Sequence, residues 1–276
     1  MSSKRYVYGF AEGSSEMRAL LGGKGANLAE MTLIGLPVPP GFTITTEACN
    51  QYLDENKEFP AGMWDEVDKA LKSLEDMTGK KFGDKDNPLL VSVRSGAPIS
   101  MPGMMDTILN LGLNDESVKG LAQLTGDRRF AYDCYRRFIQ MFCNVVLDIE
   151  HFRFEEIVEK HKRKLGLIFD YEIPEADLIR LIDEYKVLVQ EQKGFAFPQQ
   201  VCEQLNMAIK AVFDSWNNQR AIVYRKLNKI DDRLGTAVNV QCMAFGNMGD
   251  DCGTGVAFTR NPSTGVNELY GEFLIN

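Results

Sequence analysis

The hydrophobic pattern of this 276-residue chain changes twice along its length, and each change restricts the possible fold. Up to about residue 113, short helical patterns alternate with short apolar strands, of which 89–94 is the clearest. From 114 to about 194, apolar residues recur at spacings of three and four, as in amphipathic helices. Beyond residue 231 apolar and polar residues alternate, which indicates strands. The pattern predicts an α+β or α/β protein with an inserted helical region.

We place the predicted domain boundaries where these patterns change. An α/β part comprises residues 1–113 and 199–235, an inserted helical part comprises residues 114–198, and an antiparallel β part comprises residues 236–276. The last part is predicted to be a meander of neighbouring strands. It stops at Asn276 inside a strand pattern, without a cap or a polar tail, which favours an incomplete domain.

The charge balance excludes one class of partner. With 31 Lys+Arg and 39 Asp+Glu the net charge is −8, whereas nonspecific nucleic-acid binders need a basic surface. No apolar run reaches the roughly 18–20 residues that span a bilayer, and the start of the chain lacks an apolar signal core. We therefore expect a cytoplasmic protein without nucleic-acid or membrane partners. Its 6 scattered cysteines are expected to be reduced thiols.

A glycine-rich segment, Gly22-Gly23-Lys24-Gly25, precedes a helix predicted at 26–34. Glycines let backbone N–H groups and a helix N-terminus approach an anion, and the lysine adds a point charge. The segment is not a Walker motif, because Gly25 occupies the position of the Ser or Thr that holds Mg²⁺. A tight turn with an exposed lysine is the alternative interpretation.

Two further segments are candidates for ligand contact. Arg94 ends the apolar strand 89–94, and its guanidinium could grip phosphate oxygens or simply pair with a carboxylate. The turn-forming segment 100–107 carries Met101, Met104 and Met105. These adaptable side chains could close on a base or on a partner domain, or they could pack into the core.

Other residue types give little support for catalysis. His151 and His161 lie in charged helical sequence without a nucleophile or ligand partner, so no Ser/His/Asp triad or zinc site is predicted. Glu268 and Glu272 could lie near a metal ion or on a solvated strand face. We assign no metal ligand from the sequence.

Several stretches together resemble the nucleotide-binding region of the pyruvate, phosphate dikinase family. The likeness extends over nearly the whole chain, and the Met-Pro-Gly-Met-Met-Asp-Thr segment favours the dikinases over the related phosphoenolpyruvate synthases. The stretches that carry it are 20–31 with Gly-Gly-Lys-Gly, 38–46, 89–97 with Val-Arg-Ser, 100–114 and 253–265.

The resemblance implies an ATP-grasp fold and a phosphotransferase. The family converts ATP, phosphate and pyruvate into AMP, pyrophosphate and phosphoenolpyruvate, with Mg²⁺ and a monovalent cation. ATP first pyrophosphorylates a histidine on a swivelling central domain, and a C-terminal barrel then receives the remaining phosphoryl group for transfer to pyruvate. The implied partners are ATP, that phosphohistidine domain, phosphate, pyruvate and a second copy in a homodimer.

The resemblance also implies site residues. Lys24 and Arg94 would be the catalytic cations that orient and neutralise the ATP phosphates. Arg137 would reach the terminal phosphate when the cleft closes. The remaining implied nucleotide contacts are a loop with Met104, Met105, Asp106 and Thr107, and a strand with Gln241, Cys242 and Met243 whose backbone would pair with adenine.

The resemblance is incomplete at the C-terminus. The family's metal-binding acidic pair, its last phosphate-contacting Gln and Arg, its histidine domain and its barrel follow the strand that ends at Asn276. We therefore expect this chain alone to be inactive and to bind ATP weakly. Alternative interpretations are a phosphoenolpyruvate synthase, a glucan dikinase or a noncatalytic nucleotide-binding or docking module.

Overall fold

The computed structural model describes residues 4–276, so residues 1–3 of the first predicted part lie outside the described residues. The helices and strands follow the predicted change of pattern along the chain. The strands are β1 (Val7–Gly9), β2 (Gly41–Ile44), β3 (Lys81–Phe82), β4 (Pro88–Leu89), β5 (Val91–Gly96), β6 (Thr107–Leu111), β7 (Ala237–Cys242), β8 (Gly253–Phe258) and β9 (Tyr270–Ile275). The α-helices are α1 (Arg18–Leu33), α2 (Thr46–Asp54), α3 (Met63–Thr78), α4 (Ser117–Thr125), α5 (Arg128–Val145), α6 (His151–Leu165), α7 (Glu175–Lys193), α8 (Val201–Ser215) and α9 (Gln219–Asn228).

The main sheet has five strands in the order β1-β2-β7-β5-β6, and every neighbouring pair is antiparallel. The predicted mixed α/β class is therefore confirmed. The predicted C-terminal meander is wrong, because β7 pairs with β2 and β5 and not with β8. Strands β8 and β9 form a separate antiparallel pair whose residues are all exposed. Alternation along β7 indicates a strand but carries no information about its distant partners.

The two faces of this sheet differ in chemistry. On one face, alternate residues of the central strands, such as Val93 and Val240, are fully buried in the hydrophobic core. On the other face a row of polar residues crosses four strands in register: Thr43 pairs with Asn239, Asn239 with Arg94, and Arg94 with Thr107. Since side chains alternate between faces, one row of a sheet can supply the core while its neighbour supplies a polar surface.

The helical region packs onto the core face rather than standing apart from the sheet. Helices α5 and α7 contact each other, and α5 also lies against β6. Phe138, Phe142 and Phe197 pack ring against ring within the hydrophobic cluster that includes the sheet. Boundaries at 114 and 198 stay a prediction. Among residues 4–276, every helix is too short or too polar to cross a lipid bilayer.

The glycine-lysine segment is not the loop that the sequence predicts. Helix α1 begins at Arg18 and is broken at Gly22 alone, where φ is 69° and ψ is 169°. The helix resumes directly because the N–H of Gly23 donates to the carbonyl of Ala97 at 2.9 Å. A Cβ atom on Gly22 would lie 1.6 Å from the carbonyl oxygen of Gly96. The break therefore requires glycine both for its backbone conformation and for the closeness of β5.

We expect Gly22→Ala to destabilise the protein by about 3 kcal/mol or more, because it combines a left-handed backbone with a clash against backbone. Gly35→Ala is the matched control, since Gly35 has φ 81° but no atom within 4 Å of an added Cβ. The control substitution should lower the free energy of unfolding by only about 1 kcal/mol. Urea unfolding measures both values. Equal losses in the two variants would contradict the proposed backbone contact.

Candidate functional site

Lys24 lies at the start of the helical segment that follows the break at Gly22. Its Nζ donates a hydrogen bond to the carbonyl oxygen of Ser95 at 2.7 Å, so the ammonium lies at the end of β5. Burial, with a smaller contribution from the nearby positive charge of Arg94, lowers the pKa of Lys24 to about 8. Both effects disfavour the charged form of the lysine, and a bound anion would reverse them.

Arg94 is half-buried beside Lys24 on the polar face of the sheet. Its cross-strand neighbours are Asn239 and Thr107, neither of which carries a charge. Among residues 4–276, no carboxylate lies within ion-pair distance of Arg94 or Lys24, and the guanidinium of Arg94 makes no hydrogen bond. The alternative interpretation of Arg94 as half of a salt bridge is therefore wrong. Two neighbouring cations without a counter-ion form a site suited to an anion.

A cavity of about 460 Å³ opens beside Lys24. Gly23, Gly96 and Gly103 line it, so backbone is accessible there. It also contains a further cation, Arg18, whose Nε donates to the carbonyl of Pro98 at 2.9 Å. None of the described lining residues is acidic. The positive charge of this cavity favours a phosphate-like ligand.

The methionine segment forms one wall of this cavity and also packs against the protein. Met101 is buried in a small cluster with Ala97 and Trp216, and Met104 and Met105 pack against that cluster from outside. The core-packing interpretation therefore accounts for Met101. Met105 faces the cavity as well, together with Thr107.

This wall is held by the N-terminal turn of α9. Asn218 and Arg220 both donate to the carbonyl oxygen of Met104, at 3.0 and 3.1 Å, and Arg220 also pairs with the carboxylate of Asp106. Burial raises the pKa of Asp106, although the charge of Arg220 opposes that effect. These contacts fix the position of the segment relative to the helix.

Gln241, Cys242 and Met243 lie at the far end of β7, and much of their hydrogen-bonding capacity is used within the fold. The N–H of Cys242 donates to Pro40 and the N–H of Met243 donates to Leu90, each at 2.9 Å. The Gln241 side chain donates to the carbonyl of Pro39 at 3.1 Å. A base could contact this segment only through other atoms, because these donors are occupied.

Arg137 lies apart from Lys24 and Arg94. It lines two other cavities, of about 140 and 520 Å³, beside α5 and the segment that follows β7, and its Nη1 is 3.9 Å from Asp133. Of the histidines, His161 is buried between α6 and α7 with its Nε2 2.8 Å from Glu184. His151 contacts Gln140 at 3.1 Å.

Acidic side chains among the described residues do not cluster at the cavity beside Lys24. The described residues contain no group of three or more His, Cys, Asp or Glu side chains that could hold a metal ion. Asp106, next to the cavity wall, is already paired with Arg220. Glu268 and Glu272 lie in the exposed C-terminal segment. At phosphate sites Mg²⁺ is usually held by one or two carboxylates, waters and the phosphates themselves, and no carboxylate among residues 4–276 lines the cavity beside Lys24.

Sequence reasoning missed Arg18, Asn218, Arg220 and Asn239. Arg18 lies four residues before the glycine break, and this closeness to Lys24 in the sequence could have indicated a further cation at the site. Asn218 occupies the helix N-cap position, where its side chain accepts from the N–H of Ala221. Arg220 and Asn239 gave no signal, because their contacts with 104–106 and with β2 join distant parts of the chain.

Comparison with known proteins gives a consistent result. The family model described as "Pyruvate phosphate dikinase, AMP/ATP-binding domain" matches residues 18–77 and 55–275. Pyruvate, phosphate dikinase of Clostridium symbiosum is 56% identical over 99% of this chain, and the chloroplastic enzyme of Mesembryanthemum crystallinum is 58% identical over 97% of it.

The chain corresponds to 31% of the length of the Clostridium symbiosum protein and 28% of that of the Mesembryanthemum crystallinum protein. Zea mays pyruvate, phosphate dikinase 2 is 56% identical over 100% of the chain, which again is 31% of that protein. The match covers the glycine break, the end of β5 and the methionine segment. The chain belongs to the pyruvate, phosphate dikinase family, in the region of its AMP/ATP-binding domain.

Proposed function

We propose that this chain is the ATP-binding part of a pyruvate, phosphate dikinase and has an ATP-grasp fold. One observation carries the proposal: Lys24 lies in the wall of a glycine-lined cavity and next to Arg94, and neither cation has a carboxylate partner among residues 4–276. Such a group of charges is costly unless an anion binds there. The family match supports a nucleotide as the source of that anion.

In this proposal the phosphates lie between the break in α1 and the end of β5. Lys24 and Arg94 neutralise the phosphate oxygens, and Arg18 adds a third positive charge from the cavity wall. The N–H groups of Gly23 and Gly96 are already used within the fold, so the side-chain cations supply the proposed contacts with phosphate. Because phosphoryl transfer is accelerated mainly by positioning and by charge stabilisation, these groups act by holding the triphosphate in place.

We further propose that the whole protein carries out the reaction of its family. ATP would pyrophosphorylate a histidine on a separate domain and release AMP. Phosphate would then take the γ-phosphoryl group, and pyruvate the remaining one, giving pyrophosphate and phosphoenolpyruvate. Mg²⁺, a monovalent cation and a second subunit belong to this proposal. The described part of the chain would contribute the nucleotide site to this reaction.

We expect Lys24→Met and Arg94→Met each to weaken ATP binding at least about tenfold, because each removes a charge-assisted contact with phosphate. Isothermal titration calorimetry with excess Mg²⁺, at protein concentrations suited to weak binding, measures the change. Thermal unfolding of each variant checks that the fold is retained.

Arg233→Met is the matched control for loss of one positive charge. The Arg233 side chain is 89% exposed and, among residues 4–276, pairs with Asp231 alone, so its removal should leave ATP affinity within about twofold. If all three variants bound ATP like the wild type, the site would not be the nucleotide site. If all three lost affinity equally, net charge rather than these two residues would be responsible.

The affinity for ATP should fall as the pH rises from about 7 to about 9.5, by roughly threefold to tenfold. The pKa of Lys24 is lowered to about 8, so its ammonium loses its proton within this range and stops attracting the triphosphate. At pH 8 the same effect predicts proton uptake on binding, which calorimetry in buffers of different ionisation enthalpy measures.

Lys24→Arg is the control for this titration, because a guanidinium stays charged throughout the range. Its ATP affinity should change little with pH, whatever its absolute value. An equal decline in the wild type and in Lys24→Arg would assign the pH dependence to other groups.

A further inference from the structure

Asn239 lies at the centre of the polar face of the main sheet. It belongs to the central strand β7 and is in register with Thr43 of β2 on one side and with Arg94 of β5 on the other. Its side chain is completely buried, whereas that of Arg94 is half-buried. Helix α1 contacts β7 on this face. The Asn239 side chain therefore lies between the sheet and the helix that carries Lys24.

The flat amide of Asn239 fills a narrow slot that two glycines leave open. A Cβ atom on Gly25 of α1 would lie 2.9 Å from Asn239 Oδ1 and 2.8 Å from Thr43 Oγ1. A Cβ atom on Gly96 of β5 would lie 2.5 Å from Asn239 Nδ2. Both distances are too short for any larger residue without a shift of its neighbours. Because Gly25 follows Lys24 directly, the amide sets the height of the lysine's turn above the sheet.

Only half of this amide is hydrogen-bonded within the described part of the chain. The hydroxyl of Thr43 donates to Asn239 Oδ1 at 2.9 Å, and Nδ2 is buried without an acceptor among residues 4–276. A buried donor without an acceptor is costly, and an apolar residue would avoid that cost. Stability of the fold alone therefore gives no reason for asparagine at this position, which favours a role at the adjoining site.

The free end of the amide faces the stem of Lys24. The position that a Cβ atom of Gly96 would take is 2.5 Å from Asn239 Nδ2 and 3.5 Å from the Cβ atom of Lys24, so the nitrogen lies close to the lysine. Nδ2 is the positive end of the amide dipole, and positive potential at this place favours an anion in the cavity above. Asn239 is not among the residues that line this cavity, so it can act there only through its neighbours.

Gln204 of α8 offers a comparison within the same molecule. Its amide is also completely buried, and its Oε1 has no hydrogen-bond partner among residues 4–276. Its Nε2 donates to the carbonyls of Leu113 and Pro198, at 3.0 and 2.9 Å. It neither lines the cavity beside Lys24 nor lies against Gly25 or Gly96. The two amides are thus alike in burial and in partial bonding, and they differ in their distance from the site.

We propose that Asn239 is a positioning residue for Lys24: its buried amide holds the turn that follows the break in α1 at a fixed height, and so holds the lysine ammonium beside Arg94 for an anionic ligand. This inference rests on the proposed function, in which that ligand is ATP. Asn239 does not touch the phosphates in this arrangement, and its effect reaches them through Lys24. Such a residue changes the placement and the surroundings of a charge that another residue supplies.

The first test is Asn239→Ala, which opens a space beneath Lys24. Water and a freer side chain then reduce the burial of the ammonium, so the midpoint of the Lys24 titration should rise by about half a pH unit or more. Nuclear magnetic resonance of lysines labelled with carbon-13 at Cε follows this titration without any ligand, and Lys24→Met assigns the signal. Arg18 and Arg94, the charged side chains around Lys24 among residues 4–276, keep their guanidinium charge throughout the range. By calorimetry, ATP affinity at pH 7 should fall about fivefold or more.

Gly96→Ala tests the same contact from the other side of the slot. Its methyl group would press on Asn239 Nδ2, so ATP affinity should fall here too. In the double variant Gly96→Ala/Asn239→Ala the methyl group occupies the space that the amide leaves. ATP affinity should then return to within about twofold of the wild type, a coupling between the two sites that independent effects would not give. Gly96→Ala keeps the proposal testable even if Asn239→Ala does not fold.

Gln204→Ala is the matched control for truncation of a buried amide. It should lower the unfolding temperature, yet leave the Lys24 midpoint and the ATP affinity as in the wild type. If the midpoint did not rise in Asn239→Ala, or rose equally in Gln204→Ala, the inference would be overturned and the proposed function would be unaffected. If the wild type bound no ATP while the midpoint still rose in Asn239→Ala alone, the proposed function would fail and the support of Lys24 by Asn239 would stand.

Discussion

The site depends on direct contact between two stretches of backbone. The N–H of Gly23 donates to the carbonyl of Ala97, and Gly22 leaves no room for a side chain against the carbonyl of Gly96. This contact brings the start of α1, where the helix is broken, onto the end of β5. The Lys24 ammonium therefore reaches the carbonyl oxygen of Ser95, the residue next to Arg94. The backbone contact is one of the contacts that join the elements carrying the two cations.

The contact also explains an electrostatic arrangement that does not stabilise the fold. Lys24 and Arg94 lie close together, and burial lowers the pKa of the lysine to about 8. Ion pairs elsewhere in the molecule, such as Arg136 with Asp133, satisfy their charges locally. At the cavity, the protein instead keeps positive charge that only a ligand can neutralise, which is typical of binding sites.

Much of the fold could be predicted from local patterns. The helical stripe of α5 and the alternation of β7 depend on neighbours in sequence, and the structure has both elements. The partners of β7 and the contact of Arg220 with Met104 depend on residues far apart in the chain, which periodicity does not report. The glycine-rich segment and the strand end make Lys24 and Arg94 candidates for anion contact, and the resemblance to the dikinase family implies their role at the ATP phosphates.

The attachment of the methionine segment to α9 has a mechanical consequence. Helix α9 is itself anchored, since the Arg225 guanidinium stacks 4.2 Å over the ring of Trp216 and bonds to Asp232 at 2.6 Å. Trp216 also packs against Met101. Movement of this wall would break several polar contacts at once. We therefore expect the wall to keep its position, so that its dipoles need not reorient when a ligand binds.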